Sequence, residues 1–184
     1  MTHWNEPIAV EGRQYTCAFC GSRVGPARGY AHKTYKHHFI LLCPTCDRPT
    51  YFEGNHQTPA PLLGNDVKHV PTEIYSLYNE ARACTGAKAY TAAVLACRKI
   101  LMHIAVDKGA TPGAKFIEYV EYLGTENYVP HGSEGWVDHI RKKGNEANHE
   151  IAIMAEADAL DLINFIEMLL KLVYEFPGRI PKET

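Results

Sequence analysis

Cys17 and Cys20 in CAFC, and Cys43 and Cys46 in CPTC, form two close pairs, each with two residues between its sulfurs. One turn of backbone can aim both thiolates of such a pair at a single ion. Two knuckles of this kind make the tetrahedral sulfur cage that zinc prefers, with bonds of ~2.3 Å. Four thiolates leave no position open for water, so the expected ion is structural and not catalytic. Iron in the same four-sulfur cage is the alternative. His32, His37 and His38 lie between the knuckles, but with four cysteines at hand they are surplus as ligands. A ribbon this small has almost no core of its own. Metal binding would therefore supply folding free energy on the order of 10 kcal/mol.

The insert between the knuckles, GSRVGPARGYAHKTYKHHFILL, mixes cations with rings. No acidic residue occurs between Glu11 and Asp47, while Arg13, Arg23, Arg28, Lys33 and Lys36 all lie there. Cations can hold phosphates while rings stack on bases, which is the chemistry of single-strand nucleic-acid binding. Arg28, Lys33, Tyr35 and Lys36 are the candidate contacts to RNA or DNA. The competing reading is a solvated loop whose charge offsets the net negative charge of a tetrathiolate zinc. A zinc ribbon is also a protein-docking module, so a partner protein bound through it stays open.

A second polar constellation is DHIRKKGNEANHE. Arg141, Asn145 and His149 stand at i, i+4 and i+8, so a continuing helix would align them on one face, flanked by Lys142 and Lys143. Gly144 within that helix costs about 1 kcal/mol against alanine, which points to a close backbone approach or a helix end. An imidazole could move protons at a ribose 2′-OH and its leaving oxygen, with the guanidinium on the phosphate. That would be a metal-independent ribonuclease with His149, Asn145 and Arg141 as its catalytic set. On the residues alone, a capping and packing network is the simpler reading.

These groups need elements to position them. The 184 residues are 46% hydrophobic, enough for one modest core and a small satellite module. Residues 12–54 read as a β zinc ribbon, with strands in GRQYTC, FILLC and RPTYFEG. Gly21 after the first knuckle suits a turn needing positive φ. Residues 55–71 contain Pro59, Pro61, Gly64 and Pro71 and read as a linker, pinned through Leu62 and Leu63.

From residue 72 the apolar spacing becomes helical. Five helices are expected, over about 72–85, 88–107, 113–123, 133–147 and 155–176. Thr72 is the cap expected for the first. The last is expected to bury Leu160, Ile163, Ile166, Leu170 and Val173 centrally and to end before Pro177. Cys84 and Cys97 fall in these patterns as small apolar residues. The fold class is thus mainly α, a bundle of about five helices over 72–177 behind a small β module.

The opening MTHWNEPIAVEG lacks the apolar core of a secretory signal, and no stretch has the length of a membrane span. A reducing cytoplasm is the expected location. Charge is uneven. Residues 1–70 carry seven Lys/Arg and five Asp/Glu, whereas residues 71–184 carry twelve and sixteen.

The run PTEIYSLYNEARACTGAKAYTAAVLACRKIL resembles the opening of the DUF4145 domain, whose second, alanine-rich helix bears an arginine, here Arg98. RKKGNEANHE and the closing LLKLVYEFP resemble that family's end, so the likeness spans about residues 66–177. The family is similar to the HEPN superfamily of helical bundles. Those often dimerise, and many cleave RNA with an Arg-Asn-x-x-x-His motif, frequently in phage defence. Asn145 and His149 match that motif, but Gly144 stands where its arginine belongs, and Met102 stands where a glutamate would follow Arg98. The resemblance therefore implies first a HEPN-like, dimeric protein that binds nucleic acid or a partner protein, in a bacterial or phage defence-related system. A metal-independent ribonuclease acting as a dimer is the second implication, and a structural adaptor the third.

Overall fold

Two different periodicities build this chain, a period of two before residue 60 and a period of 3.6 after residue 72. In the computed structural model, which describes residues 4, 8–10, 13–25, 27–130, 132, 134–146 and 152–181, they fall in two compact units. These are Met1–Leu62 and Leu63–Thr184. The fold is mainly α with a small N-terminal β module.

In the first unit an antiparallel five-stranded sheet runs in the order β1 (Ile8–Val10), β4 (Ala27–Ala31), β5 (His38–Leu42), β6 (Pro49–Glu53), β7 (His56–Thr58). A separate hairpin pairs β2 (Tyr15–Thr16) with β3 (Arg23–Val24) around the first knuckle. Residues directly opposite in a sheet share a face. Leu41 and Phe52 accordingly point with Tyr15, Val24, Cys17 and Cys43 into a small core, and Phe39 packs on its edge. The sequence predicts three strands here, near β2, β5 and β6; β1, β3, β4 and β7 are additions.

Gly29 explains why β4 escapes notice. It lies opposite Leu41, and a Cβ there would sit 2.3 Å from the Ile40 carbonyl oxygen. The neighbouring strand is backbone and cannot swing aside, so glycine is required by close approach and dilutes the strand pattern. Gly29→Val is expected to push β4 off β5 and lower the stability of this unit by more than 2 kcal/mol. Chelator-driven metal release from the variant should be faster than from the wild type; equal release rates would refute the argument.

The second unit contains α1 (Thr72–Gly86), α2 (Tyr90–Asp107), α3 (Phe116–Thr125), α4 (Glu134–Glu146) and α5 (Glu156–Leu170). Val94, Cys97, Leu101 and Ile104 of α2 are buried against Ile74, Tyr78 and Ala81 of α1 and the inner line of α5. Among the described residues no helix is long and apolar enough to cross a membrane.

Three details differ from the pattern reading. The cap falls on Pro71 and not on Thr72, which is already helical. Pro71 holds φ −53° and ψ 142°, so the helix can begin only after it, and its carbonyl accepts the Tyr75 amide at 2.9 Å. Leu160 is 37% exposed, with Ala159 and Leu162 buried beside it, whereas Ile163, Ile166 and Leu170 are buried as expected. Third, the last helix does not stop before Pro177. It widens into a π-helical turn at Lys171–Glu175, where the Phe176 amide reaches back five residues to the Lys171 carbonyl. The chain then continues as α6 (Phe176–Arg179). A proline ring strikes the carbonyl four residues before it in a regular helix, and the wider turn makes room for it.

Residues 63–71 form a strap on the second unit. Arg82 donates to the carbonyls of Leu63 and Gly64, both at 3.0 Å, and the Tyr78 hydroxyl donates to the Asn65 carbonyl at 3.0 Å. Val67 is buried in the core. Glu167 of α5 accepts the Asn65 amide at 2.7 Å and its side-chain Nδ2 at 2.9 Å, and pairs with Lys171. Further along, Glu175 accepts the Lys68 amide at 3.0 Å. The interval expected to be linker thus holds β7 at its start and this strap at its end.

Candidate metal centre and the hairpin between its knuckles

The two knuckles are built alike. In the first, the Gly21 amide donates to the Cys17 carbonyl at 2.9 Å and the Cys17 amide to the Ser22 carbonyl at 3.0 Å. In the second, the Asp47 amide donates to the Cys43 carbonyl at 2.8 Å and the Cys43 amide to the Arg48 carbonyl at 3.0 Å. The residue after the second cysteine takes positive φ in both, +70° at Gly21 and +57° at Asp47. Each turn therefore brings its two sulfurs to the same side, and strands β2, β5 and β6 carry the knuckles to one point.

There the Cys17–Cys46 and Cys20–Cys43 sulfur distances are both 3.7 Å, and all four sulfurs lie within 4.8 Å of one another. A regular tetrahedron with metal–sulfur bonds of ~2.3 Å has edges of ~3.8 Å. The four cysteines can therefore bind a metal ion, and their spacing and softness fit zinc. Cys17 and Cys43 are buried, Cys46 is half-buried and Cys20 is exposed. His32, His37 and His38 take no part in the cluster.

The electrostatics of the sulfurs reflect their crowding. Hydrogen bonds from the Ser22 side chain and amide bring Cys20 down to about 6. The Arg48 amide favours the Cys46 thiolate, but burial and the other three sulfurs push that thiol up to about 12. Burial likewise raises Cys17. Tyr15, beneath the cluster, is raised to about 12 by burial first and then by the neighbouring Cys43 and Cys17. Four thiolates this close cannot all ionise without a cation between them, so an ion would take the place of the protons they otherwise keep.

The insert is a hairpin and not a loop. β4 and β5 pair from Gly29–Leu41 to Ala31–Phe39, and the His32 amide closes the tip on the His38 carbonyl at 3.0 Å. Arg28, Lys33, Tyr35 and Lys36 are all exposed on it. The pairing also sorts the rings of the insert. Phe39 joins the core face, whereas Tyr30 and His38 lie on the other face, where Tyr51 of β6 is opposite Ile40. Trp4 and Tyr51, which the sequence reading passed over, complete a ring cluster there with His32, Tyr35 and His38. The alternation of inward Phe39 and Leu41 with outward His38 and Ile40 is the signal that could have found it.

Of the second constellation, α4 carries the backbone of Arg141 and Asn145 one turn apart. Their side chains and His149 lie outside the described residues. Arg98 of α2 is buried, with its guanidinium carbon 4.0 Å from the Phe116 ring centroid. Among the described residues nothing accepts a hydrogen bond from its Nη1, and burial lowers its pKa. The ring quadrupole compensates part of that buried charge. Met102, one turn on, packs against the apolar core.

Comparison with known proteins adds one assignment. No curated protein and no solved structure matches the chain. A family model described as a domain of unknown function, DUF4145, matches residues 79–183, more than half of the chain, and the protein is therefore a member of the DUF4145 family.

Proposed function

We propose that this DUF4145 protein binds nucleic acid through the hairpin β4–β5, which a structural zinc ion at Cys17, Cys20, Cys43 and Cys46 holds in shape. The observation that carries the reading is the exposure of Arg28, Lys33 and Lys36 together on one hairpin, in a segment free of acid from Glu11 to Asp47. Cations so grouped lower the free energy of a phosphate backbone chiefly by releasing its counterions. The closed four-sulfur set supports a structural ion, since no ligand position remains for a substrate. The HEPN-like reading of the helical unit rests on its family membership and on Arg98, Arg141 and Asn145, and it carries the ribonuclease alternative.

Salt dependence tests the binding reading. A fluorescent 12-nucleotide strand should bind with an affinity that falls linearly on a log–log plot against salt. The double variant Lys33→Gln/Lys36→Gln should lower that slope by roughly 1.4, the value for two single-strand phosphate contacts. An unchanged slope, or no binding of DNA or RNA at low salt, refutes it. Cleavage that survives chelator, leaves 2′,3′-cyclic phosphate ends and disappears in His149→Ala would replace binding by catalysis.

A further inference from the structure

On the sheet face opposite the cysteine core, five described side chains form a ring cluster. Trp4 and His32 form an isolated bridge, with ring centroids 5.1 Å apart. Tyr35 lies 4.7 Å from His32 and 5.1 Å from His38 by ring centroids. His38 in turn is 5.9 Å from Tyr51 and hydrogen-bonds its hydroxyl through Nδ1 at 2.6 Å. None of these five side chains belongs to the apolar core around the cysteines, which occupies the opposite face. They do not hold the module together in the way Phe52 and Leu41 do.

The arrangement around Tyr35 is informative. At a hairpin tip an exposed tyrosine would ordinarily rotate freely and lose that freedom on binding. Here Tyr35 is 59% exposed, yet its ring is braced by two imidazoles. His32 is itself fixed, because its Nδ1 accepts the amides of Thr34 and Tyr35, both at 3.1 Å. One side of the tyrosine is thus backed while the ring remains largely open to solvent. Lys33 and Lys36 flank it in sequence and are both exposed; Glu53, opposite His38, is an acid on the same face.

We infer that this ring face is a stacking platform for the bases of single-stranded nucleic acid, with Tyr35 as its anchor and Lys33 and Lys36 on the adjoining phosphates. The inference rests on the nucleic-acid reading above and adds to it the form of the ligand. A duplex hides the faces of its bases, so only an unpaired strand can offer them to a ring. A held ring beside exposed cations matches that chemistry, with stacking supplying contact area and the lysines supplying charge complementarity.

The test uses the full chain with bound metal, a labelled 12-nucleotide dT strand and a 12-base-pair duplex at one salt concentration. The strand should bind at least tenfold more tightly than the duplex. Tyr35→Ala should weaken strand binding about tenfold or more, whereas Tyr35→Phe should retain it, and neither should change duplex binding. Metal content and the circular dichroism spectrum should be unaltered in both variants, because Tyr35 lies outside the core. If the wild type binds neither form, this inference and the reading it rests on both fall. Should it bind both forms equally, or should Tyr35→Ala match the wild type while Lys33→Gln/Lys36→Gln is weakened, only the stacking platform falls.

Discussion

Cys43→Ser is expected to abolish metal binding and unfold the N-terminal unit while the helical unit stays folded. Cys43 is buried, and its sulfur sits 3.7 Å from that of Cys20. A hydroxyl is a poor substitute for a thiolate as a zinc ligand, so three sulfurs would remain around an incomplete site. The consequence is large because little else orders this unit. Among the described residues its buried side chains besides the two cysteines are Tyr15, Val24, Leu41, Thr50 and Phe52. That is too small a core to offset the conformational entropy of ordering the strands, so binding worth on the order of 10 kcal/mol decides whether they form. Elemental analysis should fall from one ion per chain to none, and limited proteolysis should cut within residues 1–62 while the helical unit resists. A variant without metal whose N-terminal unit still resists protease would contradict the assignment. Cys97→Ser supplies the control, since Cys97 is buried in the helical core and far in sequence from either knuckle.

Glu167→Ala is expected to cost the helical unit about 2–4 kcal/mol and to free the strap of residues 63–71. Glu167 is 8% exposed and accepts two hydrogen bonds from Asn65 besides its pairing with Lys171. Alanine would remove the acceptor of both the Asn65 amide and its side-chain Nδ2. Burial on its own would raise the Glu167 pKa, but Lys171 and the Asn65 donors outweigh it and hold the carboxyl below its ordinary value. A carboxyl whose folded pKa is depressed stabilises the fold fully above its unfolded pKa. That contribution is lost as pH falls through the folded value. Urea melts of the wild type should therefore lose stability as pH drops from the mid-fours, and the E167A profile should be flatter over that window. Hydrogen exchange at the strap amides should accelerate in the variant. Identical melts at neutral pH would show that Arg82, Tyr78, Val67 and Glu175 hold the strap without Glu167.

The contrast between these two sites explains what the sequence disclosed. The metal ligands were legible because each pair is local, and the two-residue gap within a knuckle fixes the direction of both thiolates. The helices were legible for a similar reason, since Ile74, Tyr78 and Ala81 or Val94, Cys97 and Leu101 declare one face every 3.6 residues. Strand β4 hid itself because its inward positions carry Gly29 and Ala31, small so that Leu41 and Phe39 can lie across them. Glu167 is a charged residue in an otherwise apolar stretch, and nothing local marks it as buried. Its partner Asn65 is 102 positions away in the chain, and no periodicity links them. The ring face was partly visible in Tyr35 and His38, but Tyr51 and Trp4 join it only through strand pairing.

The π-helical turn at Lys171–Glu175 also acts on everything after it. One added residue rotates the following backbone by about 100° relative to an uninterrupted helix. The inward direction after Leu170 consequently passes to Glu175, which is 5% exposed, whereas Phe176 is turned outward at 48%. That phase shift is what lets Glu175 meet the Lys68 amide and sets Gly178 against His69. Removing a single residue from the turn would swing the terminal segment out of phase and take away one anchor of the strap, even though no contact residue had been altered.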